Sequence, residues 1–234
     1  VCVNSVRLPE ARDRVGEVPT AVEWHEATAQ IPDFLEGHLD EAMAEGVAWK
    51  FAPLRYFPDL YELSLDNDCI LWSLPAALRE WWHEEGTAQC LVAEDVAPAF
   101  GQFSRLCGTA PRNGGIRGLP PIHLYDHADA MRAVLANYPV TLKSELDEQG
   151  LQTAAILRHG PPLVVTVKEV SICSPWPPHV RELGSCGAHF CGLNARRLSW
   201  EWEGRNAVEL TYEHWDAVKG FIESKIMSGQ VSLR

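Results

Sequence analysis

The stretch Asp66-Asn67-Asp68-Cys69-Ile70-Leu71 sets one thiol directly after three short polar side chains suited to a turn. It also sets that thiol directly before Ile70, Leu71, Leu74, Leu78 and Trp81, an apolar run with helical spacing. This context predicts Cys69 at a helix N-terminus, with Asp66 or Asp68 as a cap. Unpaired backbone N–H groups and the positive end of the helix dipole would there favour the thiolate, the nucleophilic form of cysteine. Pro75 sits awkwardly in a helix over 69–85, because an interior proline costs about 3 kcal/mol, so the helix must bend there or its first turn must be separate.

Acyl transfer by a thiol needs a base within hydrogen-bond reach, a group that orients the base, and donors for the developing oxyanion. Ser185-Cys186-Gly187-Ala188-His189-Phe190-Cys191-Gly192-Leu193 reads as a strand whose small residues leave room around His189, the best base, with Phe190 on the opposite face. His214, His179 and His159 lie in charged, proline-rich or turn contexts and are weaker candidates. The following strand, Ser199-Trp200-Glu201-Trp202-Glu203, puts both glutamates on one face, so Glu203 or Glu201 could orient the imidazole across a hairpin, with Asn206 in the turn beyond it. An outward carboxylate face over a tryptophan core accounts for the same alternation. The backbone N–H of Cys69 and the side-chain amide of Asn67 are the expected oxyanion donors.

A rival chemistry uses Cys186, His189 and Cys191 with Cys173 as soft ligands for zinc, although strand alternation would splay Cys186 from Cys191. A third reading is a non-catalytic interaction domain that docks partners through its acidic face. No metal or cofactor is expected on the peptidase reading.

The positioning elements follow from pattern. Residues 1–20 read as an extended lead-in and 21–49 as helix-rich, with Ile31, Phe34, Leu35, Leu39, Ala42 and Met43 at three- and four-residue spacings. Residues 51–65 read as irregular or edge-strand structure, 89–93 as a short strand and 95–106 as a helix. The glycine- and proline-rich segment 107–121 reads as a loop or linker, without the Gly-Lys-Ser/Thr sequel of a phosphate cradle. Asp126 can cap a helix over 128–137. Beyond it 151–157, 162–173, 185–193, 198–203 and 207–212 read as strands, and 215–227 as a final amphipathic helix. Helices first and antiparallel-looking strands later predict an α+β fold.

With 234 residues, 46% of them hydrophobic, the chain can bury a substantial core. Lys and Arg number 20 against 32 Asp and Glu, a formal net charge of −12, which disfavours a nucleic-acid partner. No apolar run is long enough for a membrane span and no signal-peptide pattern is present, so a cytoplasmic location is expected. Seven cysteines, an odd number at irregular spacing, suit a reducing compartment. The chain starts with Val1 and ends in Arg234, which suggests excision from something longer.

A cysteine after an Asp/Asn turn, followed by aliphatic and aromatic residues, with a His-aromatic pair on a strand downstream, resembles the papain-like cysteine peptidases. It is most similar to viral leader-type proteases and ovarian-tumour-type deubiquitinases. Asp66-Asn67-Asp68-Cys69-Ile70-Leu71 is similar to the Asp-Gly-Asn-Cys-Leu block of the deubiquitinases, and His189-Phe190 to their His-aromatic block. Asn67 stands where that family has Gly, and Asp68 where it usually has Asn.

The resemblance implies a papain-like fold, an N-terminal helical half packed on a C-terminal antiparallel sheet half. Its parts would be a helical extension over 1–50 and a peptidase domain over 51–234, helical in 69–140 and sheet in 151–234. It implies a virus-encoded cysteine peptidase acting on a protein substrate, its own polyprotein or a ubiquitin-like conjugate, in the host cytoplasm.

Overall fold

The computed structural model describes residues 2–3, 7–26, 31–40, 49–51, 54–84, 86–173, 183–191, 201–202 and 205–228. Its helices are α1 (Leu8–Val15), α2 (Ala76–His83), α3 (Ser104–Cys107), α4 (His127–Asn137), α5 (Glu145–His159) and α6 (Ala207–Met227). The strands are β1 (Cys2–Val3), β2 (His25–Glu26), β3 (Glu62–Leu65), β4 (Cys69–Leu71), β5 (Leu91–Ala93), β6 (Asn113–Leu119), β7 (Leu163–Val165), β8 (Val170–Ile172), β9 (Gly187–His189), β10 (Glu201–Trp202) and β11 (Arg205–Asn206). The fold is α+β. No helix among the described residues is long and apolar enough to cross a membrane.

Two sheets frame the centre, a four-stranded one ordered β3-β6-β5-β7 and a three-stranded one ordered β4-β9-β8. Both are mixed: β5 pairs parallel with β7 and β8 parallel with β9, while β3–β6, β5–β6 and β4–β9 are antiparallel. Among the described residues helices and strands alternate along the chain, in place of a helical half followed by an antiparallel sheet half.

The sheets share a core of Leu78, Trp81, Leu91, Ile116, Val165 and Val170, against which Cys69 and Leu71 pack. Trp81 satisfies its indole N–H on the Gln89 carbonyl at 2.8 Å while its ring meets Tyr61 edge-on at 5.3 Å. A second core joins α4 and α5 through Met131, Leu135, Leu151 and Ala155, with Phe100 and Phe103 beside them. A third seats α6 on β9 through Val218, Ala188, Phe190 and Cys173.

Several local expectations are overturned. Residues 69–71 are a strand, and the helix begins only at Ala76, with Pro75 as its N-cap residue. Proline is acceptable there because the first helical N–H groups have no internal partner. Ala76 N–H instead donates to Glu169 Oε1 at 2.6 Å.

The segment read as a loop, 107–121, contains β6, which pairs with strands on both sides. Its glycines make room for neighbours: a β-carbon on Gly118 would lie 2.8 Å from Leu91 Cβ and 3.0 Å from Trp81.

Residues 151–157 belong to α5, not a strand. Nearly every position from Asp147 to Ile156 is buried, so the helix carries no amphipathic stripe to read. Its start is nonetheless signalled by Ser144, whose hydroxyl accepts from Asp147 N–H.

Residues 207–212 open α6 rather than forming a strand, and the lead-in contains α1. The described part of 21–49 holds β2 and a 3-10 turn at Asp33–Leu35 in place of long helices. Within 95–106 the helical content is short, a 3-10 turn at Gly101–Phe103 running into α3.

Candidate functional site

The polar turn at Asp66 is a corner between the two sheets. Cys69 N–H donates to the Asp66 carbonyl at 3.0 Å, closing a turn that leads β3 into β4. Asp66 N–H is tied to the Gly115 carbonyl at 2.8 Å, and Phe190 N–H to the Asp68 carbonyl at 2.9 Å. The turn is thereby held by β6 on one side and by the end of β9 on the other.

That corner sets the register of β4 on β9, which pairs Cys69 with His189, Ile70 with Ala188 and Leu71 with Gly187. Because Phe190 N–H bonds to Asp68 across the strands, Cys69 and His189 form a non-hydrogen-bonded pair. Side chains in such pairs share a face, with β-carbons about 4.5–5.5 Å apart. Two residues distant in sequence thus become immediate neighbours.

His189 is 2% exposed. Its ring lies over Gly115, where a β-carbon would come within 2.1 Å of the imidazole Cε1. Nε2 stands 3.1 Å from Asp68 Oδ1 and 3.8 Å from Asp66 Oδ2. The 3.1 Å approach is off the line of a ring N–H, so it is an ion-pair distance without a directed hydrogen bond, and both ring nitrogens and Asp68 Oδ1 lack hydrogen-bond partners among the described residues.

A charged network extends inward from Asp66. Lys50 Nζ donates to Asp66 Oδ2 at 2.8 Å and lies 3.8 Å from Glu148 Oε2. Burial opposes the Lys50 charge, but Glu148 and Asp66 outweigh it and hold the ammonium above its ordinary value. Glu148, buried and bonded by the Gln152 side-chain amide, is pushed up by burial and by Asp66, against the pull of Lys50 and Arg117. Arg117 on β6 is lowered by burial, with Glu148, Glu62 and Asp66 opposing the shift.

Cys69 is partly exposed, yet burial, then Asp68 and Asp66, push its thiol up to about 12. At neutral pH the sulfur is protonated. A helix dipole is not available to reverse this, because Cys69 lies in β4.

The other expected site residues separate into three cases. Asn67 is exposed at the tip of the turn, between the two aspartates. The Cys69 N–H, expected as an oxyanion donor, is engaged by Asp66. Glu201 lies in β10, which pairs with β11 in a separate two-stranded sheet, so among the described residues the anticipated hairpin with β9 is not seen. Asn206 is in β11, paired with Glu201, rather than in a turn. Glu203 lies outside the described residues.

Beside His189 stand Asp68 and Asp66 instead, both quoted in the motif, where one or the other is read as a helix cap. Lys50 and Gly115 were not anticipated. The one signal for Gly115 is the Gly114-Gly115 pair inside what proves to be a central strand.

Of the cysteines proposed as zinc ligands, Cys173 is buried with its sulfur 3.7 Å from Ser171 Oγ, and Cys186 is 3.6 Å from Ser185 Oγ. Among the described residues, the group whose ligand atoms converge is Asp66, Asp68 and His189, all within 4.8 Å of one another.

Comparisons with protein-family models, curated proteins and solved structures returned no match.

Proposed function

We propose that the chain is a cysteine peptidase, of the papain-like superfamily that its two motifs resemble, with Cys69 as nucleophile and His189 as base. The single observation that supports this is the β4–β9 register, which sets Cys69 opposite His189. Asp68, 3.1 Å from the imidazole, takes the orienting role first given to Glu203 or Glu201.

A thiol held up near 12 cannot act as a preformed thiolate at pH 7. The proton therefore leaves as attack proceeds: His189 accepts it while the Cys69 sulfur bonds to the substrate carbonyl carbon, and the carbonyl electron pair moves onto oxygen. Burial, then Asp68 and Asp66, oppose the free thiolate. The imidazolium then protonates the departing amine, leaving a thioester that water hydrolyses to regenerate the thiol. Substrate reaches the pair from the sulfur side, since Cys69 is partly exposed and His189 is buried.

The substrate on this reading is a protein, either flanking polyprotein or a ubiquitin-like conjugate, met in the host cytoplasm if the source is a virus. Placing Cys69 in a strand departs from the papain-like pattern, so the assignment rests on the motifs and the pair.

Cys69→Ala and His189→Ala should each abolish processing of a precursor extended past Arg234, or reaction with a ubiquitin-derived activity probe. Retained activity in either variant ends the proposal. The extended precursor and the probe separate self-processing from deubiquitination.

A further inference from the structure

Two carboxylates and a buried imidazole converge at the sheet corner. Asp66, Asp68 and His189 bring their ligand atoms within 4.8 Å of one another. Independently, His189 is 2% exposed and neither ring nitrogen has a hydrogen-bond partner among the described residues, although Nε2 stands 3.1 and 3.8 Å from the two carboxylates. Asp68 Oδ1, also buried, has no hydrogen-bond partner among the described residues either. Leaving such groups unsatisfied is unfavourable, more so when they are charged. A cation between them would give both a partner.

We propose that Asp66, Asp68 and His189 form a binding site for a first-row divalent transition-metal ion of the Zn2+ type. The spacing suits it: Nε2 lies 3.1 and 3.8 Å from the two carboxylate oxygens. Donors about 2.0–2.1 Å from a shared tetrahedral ion stand about 3.3 Å apart. The donor set suits it too, since an imidazole with two carboxylates favours zinc and its neighbours over calcium or magnesium. Three protein ligands leave a coordination position open to water or another group.

Lys50 is the competitor. Its ammonium sits 2.8 Å from Asp66 Oδ2 and its side chain is one-third exposed, so it can swing aside as the ion enters. The site stands whether or not Cys69 is a nucleophile. If the peptidase reading holds as well, an ion on Nε2 takes Asp68 from its orienting contact and inhibits the enzyme.

The test is equilibrium dialysis of the full chain against ZnCl2, read as ions bound per chain, with no activity assay involved. One ion per chain is expected, weakened more than about tenfold in Asp68→Asn and in His189→Ala, as ligand loss requires. Lys50→Ala should bind several-fold tighter, a gain that a misfolded variant would not show. Cys69→Ser should bind as the parent does. Replacing Zn2+ by Co2+ should give a spectrum without a thiolate charge-transfer band. Absence of a bound ion in the parent chain, or binding that survives Asp68→Asn but is lost in Cys186→Ser/Cys191→Ser, overturns the assignment.

Discussion

The imidazole of His189 occupies the space that a β-carbon on Gly115 would need, with Cε1 only 2.1 Å from that position. A strand residue without a side chain is what lets a buried ring lie flat against β6. Gly115→Ala forces the ring or the strand to shift, an overpacking that costs typically about 1–3 kcal/mol. Gly114→Ala is the matched control, because its β-carbon would meet nothing nearer than Gln149 Oε1 at 3.9 Å. Denaturant midpoints should fall for the first variant and hold for the second; equal midpoints would mean that the ring is not packed as described.

The protonated state of Cys69 is open to direct chemical test. With its thiol at about 12, the rate of iodoacetamide labelling at Cys69, followed by peptide mass spectrometry, should climb with pH beyond 9.5 without levelling. An unperturbed cysteine levels near its ordinary pKa of about 8.5. Asp68→Asn should speed labelling at fixed pH, since Asp68 is the largest cause after burial. A plateau below pH 9 would show an activated thiolate instead.

Buried thiols should make the protein sensitive to alkali. Burial pushes Cys90 and Cys107 to about 12 and Cys173 to about 11. Their folded values lie above the unfolded value of about 8.5, so the stability they contribute is complete below that pH and is lost as pH rises towards 11–12. Each thiol contributes at most roughly 1.4 kcal/mol per pH unit in that window. Unfolding midpoints measured from pH 8 to 10.5 should decline, and Cys90→Ala should decline less steeply than the parent.

On the acid side the sensitive group is His127. Burial, then Arg117, lowers its pKa to about 3, while Tyr125 Oη at 2.8 Å and Gln152 Oε1 at 3.3 Å engage its two nitrogens. A folded value below the unfolded one of about 6.5 means that its contribution is present above pH 6.5 and is lost as pH falls towards 3. His127→Gln removes that titration, so its stability should vary less between pH 6.5 and 4 than the parent's. Identical pH profiles would remove His127 from the account.

The amino-acid sequence by itself determined the local features. Asp126 and Ser144 cap helices where short polar side chains precede helical runs, and Asp66-Asn67-Asp68 is a turn. These are interactions over three or four residues, which the order of side chains specifies directly. Even there, a turn followed by apolar residues suits a strand as well as a helix, which is why Cys69 could be assigned the wrong element.

What only the tertiary structure decided is which residues meet. The pairing of β4 with β9 puts Cys69 across from His189, and the turn that joins the sheets brings Asp66 and Asp68 to the same ring. Lys50 reaches Asp66 from a distant 3-10 turn, and Gly115 contributes by the absence of a side chain. Register between strands far apart in the chain comes from packing and hydrogen bonds summed over two sheets, and no short window of sequence contains those partners.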